Sequence, residues 1–552
     1  MKLEFVIGVT GHRDISVDDN TYVKESFKNY ILNINKSHPN IIIRVLTGLA
    51  VGADRLVAAE ILELNNPHIL CTGVLPLKAS EYLNDFDEGE KKEFQELLRL
   101  FKERSFEIVE LTENSSRPEC YQNLGTYILN KSDVLVSIWD MNKVEGLGGT
   151  YDITRLAYDN NSYTKANDFY GYEKKPVYVI PCNRENKNSL KFERQPGYLI
   201  NIEDKCLGKE PNSLIFTLSQ LSSFQDEISN YDLKTAQIYA PTEQLDSYIS
   251  SDADRLSKYF GVFDLLANQS QKKVNFFHIS LAYLTFFIAC TFLVYAKLFP
   301  EKFILGLYLG LFVFGFTSFK LLTPNKRKED YALFRLISES LRLEFFMIQS
   351  GVVDSLGNKS ISTFLNTRGS KFDQAIKSVL RQASTLGGTS KSKENAKEAL
   401  LDWFLNQHSY YKKSYSRLHN KHHKIEKLVK ASIYLPIILL SIVLFPSIYY
   451  SLKSIFILGV SGKVWAVFIS ALIPVIGLVF EQLALNSSIK EHMQFSFQKV
   501  IFLENVIKKI NSLPDDSSYD EIAMIASQEL SEEHNLWLNI TNMKTLTTAH
   551  GG

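Results

Sequence analysis

Apolar residues in the first part of the chain fall into short runs rich in Val and Ile, separated by longer stretches with helical spacing. Phe5–Val9, Ile41–Thr47, Ile69–Leu75, Phe106–Leu111, Val134–Trp139 and Val177–Ile180 have the length of buried strands. Ala53–Leu64 places Leu56, Val57, Ile61 and Leu64 at three-four spacing, the mark of a helix with one apolar face. Strands alternating with helices predict a parallel sheet covered on both faces, a Rossmann-like α/β domain over 1–240. Phe216, Leu218, Leu221 and Phe224 predict a further helix of that domain, and 241–271 reads as a linker helix.

The second part reads differently. Phe276–Phe299 holds a single charge, Lys297, while Phe303–Phe319, Ala431–Leu452 and Val464–Phe480 hold none. A helix of about 20 such residues matches the hydrocarbon thickness of a bilayer, about 30 Å. The expectation for 272–552 is an all-α membrane region with four transmembrane helices, 276–299, 303–322, 431–452 and 464–485, paired as two hairpins. Pro436, Pro446 and Pro474 are compatible with membrane helices. A cytosolic helical insert is expected over 323–430, with Phe334, Ile337, Leu341, Phe345 and Ile348 on one face. Within it, the Gly/Ser/Thr-rich stretch 350–392 reads as loop with one short helix. A cytosolic helical tail follows over 486–552, with Met493, Phe497, Val500, Leu503, Ile507 and Ile510 on one face.

Charge supplies orientation. Lys272, Lys273, Lys320, Lys326, Arg327, Lys328, Lys421, Lys424, Lys427, Lys430 and Lys490 flank one side of the apolar runs, against Lys297, Lys302, Lys453 and Lys463 on the other. The richer side faces the cytoplasm, which places both termini and the α/β domain there. Over the whole chain 61 basic residues balance 61 acidic ones, so the basic excess of a DNA- or RNA-polymer binder is missing. Five scattered cysteines without a C-x-x-C pair argue against zinc and against a disulfide scaffold, and suit a reducing compartment. No metal, cofactor or catalytic residue is expected, and Met1-Lys2-Leu3-Glu4 does not open a secretory leader.

Candidate chemistry gathers at the ends of the expected strands, where open α/β sheets bind ligands. The first strand is followed by Thr10, Gly11, His12 and Arg13, and the second by Thr47, Gly48, Leu49, Ala50, Gly52, Ala53, Asp54 and Arg55. The third is followed by Pro76, and the fifth by Asp140 and then Gly146, Gly148, Gly149, Thr150 and Asp152. Glycine turns entering helices let backbone N–H groups approach an anion, and Arg13, Arg55 and His12 offer further donors. The ligand this predicts bears phosphate. Asp152 is open to two roles, hydrogen bonding a ribose hydroxyl or favouring the first turn of a helix.

The stretches "VTGHRD", "TGLAVGADRLVAAE" and "GLGGTYD" resemble the SLOG superfamily of Rossmann-like nucleotide-binding domains, over about the first 200 residues. That superfamily includes the Lonely Guy phosphoribohydrolases, the DNA-processing protein DprA and sensor domains of bacterial antiviral systems. "DYALFRLISESLRLEFF", after the first hairpin, resembles the SLATT membrane effectors found beside such sensors. The resemblance implies that the glycine loops line one nucleotide pocket. It also implies a homo-oligomeric antiviral effector of the bacterial inner membrane, opened by a cyclic oligonucleotide or an ADP-ribose derivative. The enzymatic members carry P-G-G-x-G-T-x-x-E. Here no proline precedes Gly148, Ile153 stands where the glutamate would, and Asp152 is one residue early, about 100° away on a helix. Binding without hydrolysis is therefore favoured. A membrane-anchored nucleotide hydrolase using Glu60, Glu145 or Asp152, and a nucleotide-regulated channel, are the alternatives.

Overall fold

The computed structural model describes residues 1–111, 116–143, 146–159, 174–185, 194–230, 251–321, 325–349, 372–383, 396–514, 519 and 521–531. The α/β domain opens with β1 (Glu4–Gly11), α1 (Asn20–Ser37), β2 (Ile42–Thr47), α2 (Ala53–Leu64) and β3 (Ile69–Leu75). It continues through a short helix α3 (Ala79–Tyr82), α4 (Glu88–Glu103), β4 (Glu107–Glu110), α5 (Arg117–Lys131), β5 (Val134–Trp139), α6 (Thr150–Tyr158) and β6 (Val177–Pro181). Last come β7 (Gly197–Asn201), β8 (Cys206–Gly208) and α7 (Asn212–Ser229).

The strands form one sheet in the order β4-β3-β2-β1-β5-β6-β7-β8. The first five pairings are parallel, and β6–β7 and β7–β8 are antiparallel. The sheet is thus parallel-dominated and not wholly parallel as expected. β7 and β8 escape the apolar pattern because each is short and half exposed, which leaves no buried run to read. From β1 the chain works outward to β4 and then returns to the other side of β1 as β5. That reversal makes the β1–β5 boundary a topological switch point.

Local signals fix the helices that flank it. Asp87 and Glu90 close a capping box on α4, each side chain accepting the other's backbone N–H at 2.8 and 2.9 Å. Ser116 and Glu119 do the same for α5, with Pro118 in its first turn. Leu124, Tyr127 and Ile128 of α5 pack on Val6, Leu46 and Val74, and Ile153 and Leu156 of α6 join Leu135, Trp139 and Val179. At the opposite end of β1, Gln225 and Gln382 side-chain oxygens accept the N–H groups of Leu3 and Glu4, both at 2.7 Å. Asp133 accepts Val6 N–H at 2.8 Å and pairs with Arg381 at 2.6 Å.

Gln382 and Arg381 belong to the helix Asp373–Ala383, a short helix within 350–392; residue 372 apart, the rest of that stretch lies outside the described residues. The chain divides into two compact units. One gathers the α/β domain, the following helix as far as Leu266, the helix Asn325–Gln349 from Phe334 on, Asp373–Ala383 and a helix over 521–531.

The other unit is helical. The helix Ser251–Lys297 runs unbroken and is followed by Lys302–Leu321, and Gly315 of the second faces Ile288 and Leu284 of the first. Ala396–Val443, Pro446–Ser454, a two-residue β-ladder (Phe456–Ile457 with Val460–Ser461) and Gly462–Asn486 come next, then Ile489–Ser512. Gly477 approaches Ser432 so closely that a Cβ there would lie 1.9 Å from its hydroxyl oxygen.

Two helices are long and apolar enough to cross a membrane, Arg255–Lys297 and Gly462–Leu485, with mean hydropathies of 2.0 and 2.2. A third is Leu400–Val443 with Pro446–Ser454, if that pair, bent by 86°, is one span; Lys302–Ser318 is a shorter apolar helix. The expected single helix 431–452 is therefore interrupted. Proline at 446 has no N–H for a helical bond and drives Phe445 to an extended backbone (ψ 128°), so a new helix starts there. Pro436 and Pro474 stay inside their helices. The expected tail beyond 531 lies outside the described residues, as do the side chains of Lys320, Lys326, Arg327 and Lys328.

Candidate functional site

β1 and β5 run side by side with Thr10 opposite Ser137 and Gly11 opposite Ile138. His12 N–H donates to Ile138 O at 3.1 Å, so the chain leaves β1 still attached to β5. Just beyond these strand ends lies a cavity of about 480 Å³. Ten of the residues expected at the site line it: Thr10, Gly11, His12, Arg13, Ala50, Asp54, Gly146, Gly148, Gly149 and Thr150. The other nine are not among its lining residues.

Two glycines shape the walls. Gly52 has φ +84°, and a Cβ there would come 2.4 Å from Arg13 O; it turns the chain so that Ala53 N–H reaches His12 O at 3.0 Å. Gly148 has φ +71°, and a Cβ there would come 2.6 Å from the N of Gln122 in α5. Asp152 accepts Gly148 N–H at 3.0 Å and lies 3.4 Å from Arg155. From the first turn of α6 it holds the glycine loop, and it is not among the residues lining the cavity. Gly149 is the N-cap of α6, so the first turn of that helix, with N–H groups that lack intrahelical acceptors, opens on the cavity at Thr150 and Tyr151.

The remaining expected residues are supports. Thr47 is buried, and its hydroxyl donates to Asp54 O at 3.4 Å. Gly48 leaves room for the Asp54 carboxylate, and its carbonyl accepts the Tyr82 hydroxyl at 3.3 Å. Leu49 and Pro76 are buried. Arg55 turns away from the cavity, its guanidinium over the Phe86 ring at 4.6 Å and 3.0 Å from Glu93. Asp140 orients His12, 3.0 Å from its Nε2, and also accepts Asn142 N–H at 3.1 Å.

Charge in the cavity is unevenly committed. Arg184 is bound to Asp14 at 2.7 Å, and that cation holds Asp14 below the usual carboxylate range against the opposing effect of burial. For Asp140 burial acts upward too, but His12 and Asn142 outweigh it and bring the carboxylate down to about 2. Burial dominates at Asp54 and pushes it up to about 7, although Ala50 N–H (3.4 Å), Arg13 and Arg55 pull the other way. Oδ1 of Asp54 is buried and has no hydrogen-bond partner among the described residues. Arg13 stacks over the Tyr121 ring at 4.8 Å and makes no ion pair among the described residues. Tyr121 also hydrogen-bonds the guanidinium and Asp54 attracts it, so the charge is held in place at the cavity wall.

Sequence reasoning missed half of the lining: Val9, Asp14, Tyr82, Tyr121, Leu124, Gly125, Ile128, Tyr151, Ile153 and Arg184. Tyr121, Leu124, Gly125 and Ile128 are spaced as one helix face, a legible pattern, but nothing in it says that α5 borders the ends of strands remote in sequence. No family model matches the chain, and no curated protein matches it.

Proposed function

We propose that the α/β domain is the sensor of a membrane effector: it binds a nucleotide-derived second messenger, and the bound state switches apolar helices to breach the bacterial inner membrane. The observation that carries this reading is a switch-point cavity offering an unpaired Arg13, a helix N-terminus and glycine loops, on a chain that also holds membrane-length helices. Four spans, the short Lys302–Ser318 included, a cytoplasmic sensor, assembly of several copies and a role in antiviral defence complete the proposal. A cyclic oligonucleotide or an ADP-ribose derivative suits the cavity's chemistry.

Binding without hydrolysis is supported by the acids proposed for the alternative. Glu60 is buried in an ion pair with Lys28 at 2.8 Å, away from the cavity lining, and Asp152 caps the glycine loop. Glu145 lies outside the described residues.

The test is a thermal-shift screen of nucleotides on the purified protein, followed by dye release from liposomes containing it. A stabilising nucleotide should also trigger release, and Arg13→Ala should weaken both responses by roughly tenfold or more, as expected for a lost charge-assisted contact. Release that proceeds equally without nucleotide, or a response unchanged in Arg13→Ala, would refute the reading.

A further inference from the structure

The helix Ala396–Val443 is unbroken for 48 residues and changes character along its length. Its last turns, from Ala431, contain no charge. The stretch before them, 412–430, has seven Lys or Arg residues and one acid, Glu426, which is held by Lys430 at 2.6 Å. Lys412, Lys413, Arg417, Lys421, Lys424 and Lys427 are exposed and make no ion pair or hydrogen bond among the described residues. Like charges three and four residues apart weaken a helix unless a counter-charge sits among them.

Position decides which of these charges has a natural partner. At 1.5 Å per residue, Lys427 stands about 6 Å, Lys424 about 10 Å and Lys421 about 15 Å from Ala431 along the axis, within an arc of about 120°. Arg417 and Lys413 stand about 21 and 27 Å away. The headgroup layer adds only about 5–8 Å to each side of the hydrocarbon, and screening ends charge attraction within about 10 Å beyond it. The lower three fall within that reach, whereas Arg417 and Lys413 would have to extend their stems along the helix axis by about 3–6 Å and about 9–12 Å more.

We propose that Lys421, Lys424 and Lys427 form a site for the phosphodiester headgroups of anionic glycerophospholipids. The site rests on the apolar helices lying in a bilayer and is independent of what fills the cavity of the α/β domain. Three ammonium groups on about 9 Å of helix meet phosphates at the membrane surface, where the apolar continuation of the same helix fixes their depth.

The test uses the full chain reconstituted in phosphatidylcholine mixed with phosphatidylglycerol, extracted in mild detergent, with the retained lipids counted by mass spectrometry. Each lysine near a membrane surface favours an anionic headgroup roughly fivefold, so the wild type should retain phosphatidylglycerol over phosphatidylcholine at a ratio about tenfold or more above the bulk ratio. K421Q/K424Q/K427Q should bring retention back to the bulk ratio, while the charge-matched K412Q/K413Q/R417Q keeps the enrichment. Glutamine is a good helix former at exposed positions, so both triples should fold. No enrichment in the wild type overturns the proposal. Equal loss in both triples also overturns it, because retention would then follow the total charge of the stripe and not the depth of these three lysines. A protein that stays in solution without detergent overturns the bilayer premise along with it.

Discussion

Asp54 sits in an environment that costs the protein stability once its carboxyl ionises. An aspartate ordinarily titrates near 3.8, and this one is pushed up to about 7 by burial. In the unfolded chain it ionises as pH passes 4, whereas in the folded chain it keeps its proton until about 7. Across that window the unfolded state holds fewer protons, so stability falls as pH rises, and above 7 the penalty is constant. Asparagine keeps the size and the acceptor for Ala50 N–H but has no charge to desolvate. Relative to wild type, Asp54→Asn should therefore gain roughly 2–3 kcal/mol on going from pH 5 to pH 8, read from denaturation at the two values. A pH-independent difference would show that Asp54 titrates normally. Residues of this kind divide cleanly in legibility. Arg13 and Asp54 were visible in the sequence because they sit in glycine-bearing turns after strands. Tyr121 and Arg184 were not, because their place in the cavity depends on how α5 and the segment after β6 fold back toward β1.

At the scale of elements, the loop between β5 and α6 shows how sequence becomes site. Gly148 takes a left-handed backbone against α5, and Asp152 pins its N–H from the first turn of α6. Gly148→Ala must strain that backbone and push on Gln122. A loss of about 1–3 kcal/mol in stability is expected, together with weaker nucleotide binding measured by calorimetry. Unchanged affinity would remove the loop from the site. β3, β5 and α2 begin and end where the apolar pattern puts them, at Ile69–Leu75, Val134–Trp139 and Ala53–Leu64, since a buried parallel strand or an amphipathic helix writes its burial directly into residue order. The β7–β8 hairpin has little burial to write. The run 431–452 fails for a different reason: apolarity reports environment and is blind to direction, so a continuous greasy stretch conceals the bend before Pro446.

At the scale of the whole molecule, sensing requires that ligand binding in one unit alter the other. The helix Ser251–Lys297 begins in the unit that holds the cavity, which extends to Leu266, and ends in the helical unit, which starts at Ala267. A ligand shifts an equilibrium only by its difference in affinity for the two states, and that difference must pass through elements shared by both units. An unbroken helix is the stiffest such connection, because bending it breaks backbone hydrogen bonds. Ala267→Pro removes one donor and crowds the preceding turn at the junction, at a cost of about 3 kcal/mol. Under the proposed function, nucleotide binding should survive, seen as a retained thermal shift, while nucleotide-triggered dye release from liposomes falls by tenfold or more. Full release in this variant would mean that the two units communicate by another route, for which the helix Asn325–Gln349, entering the α/β unit at Phe334, is the next to break.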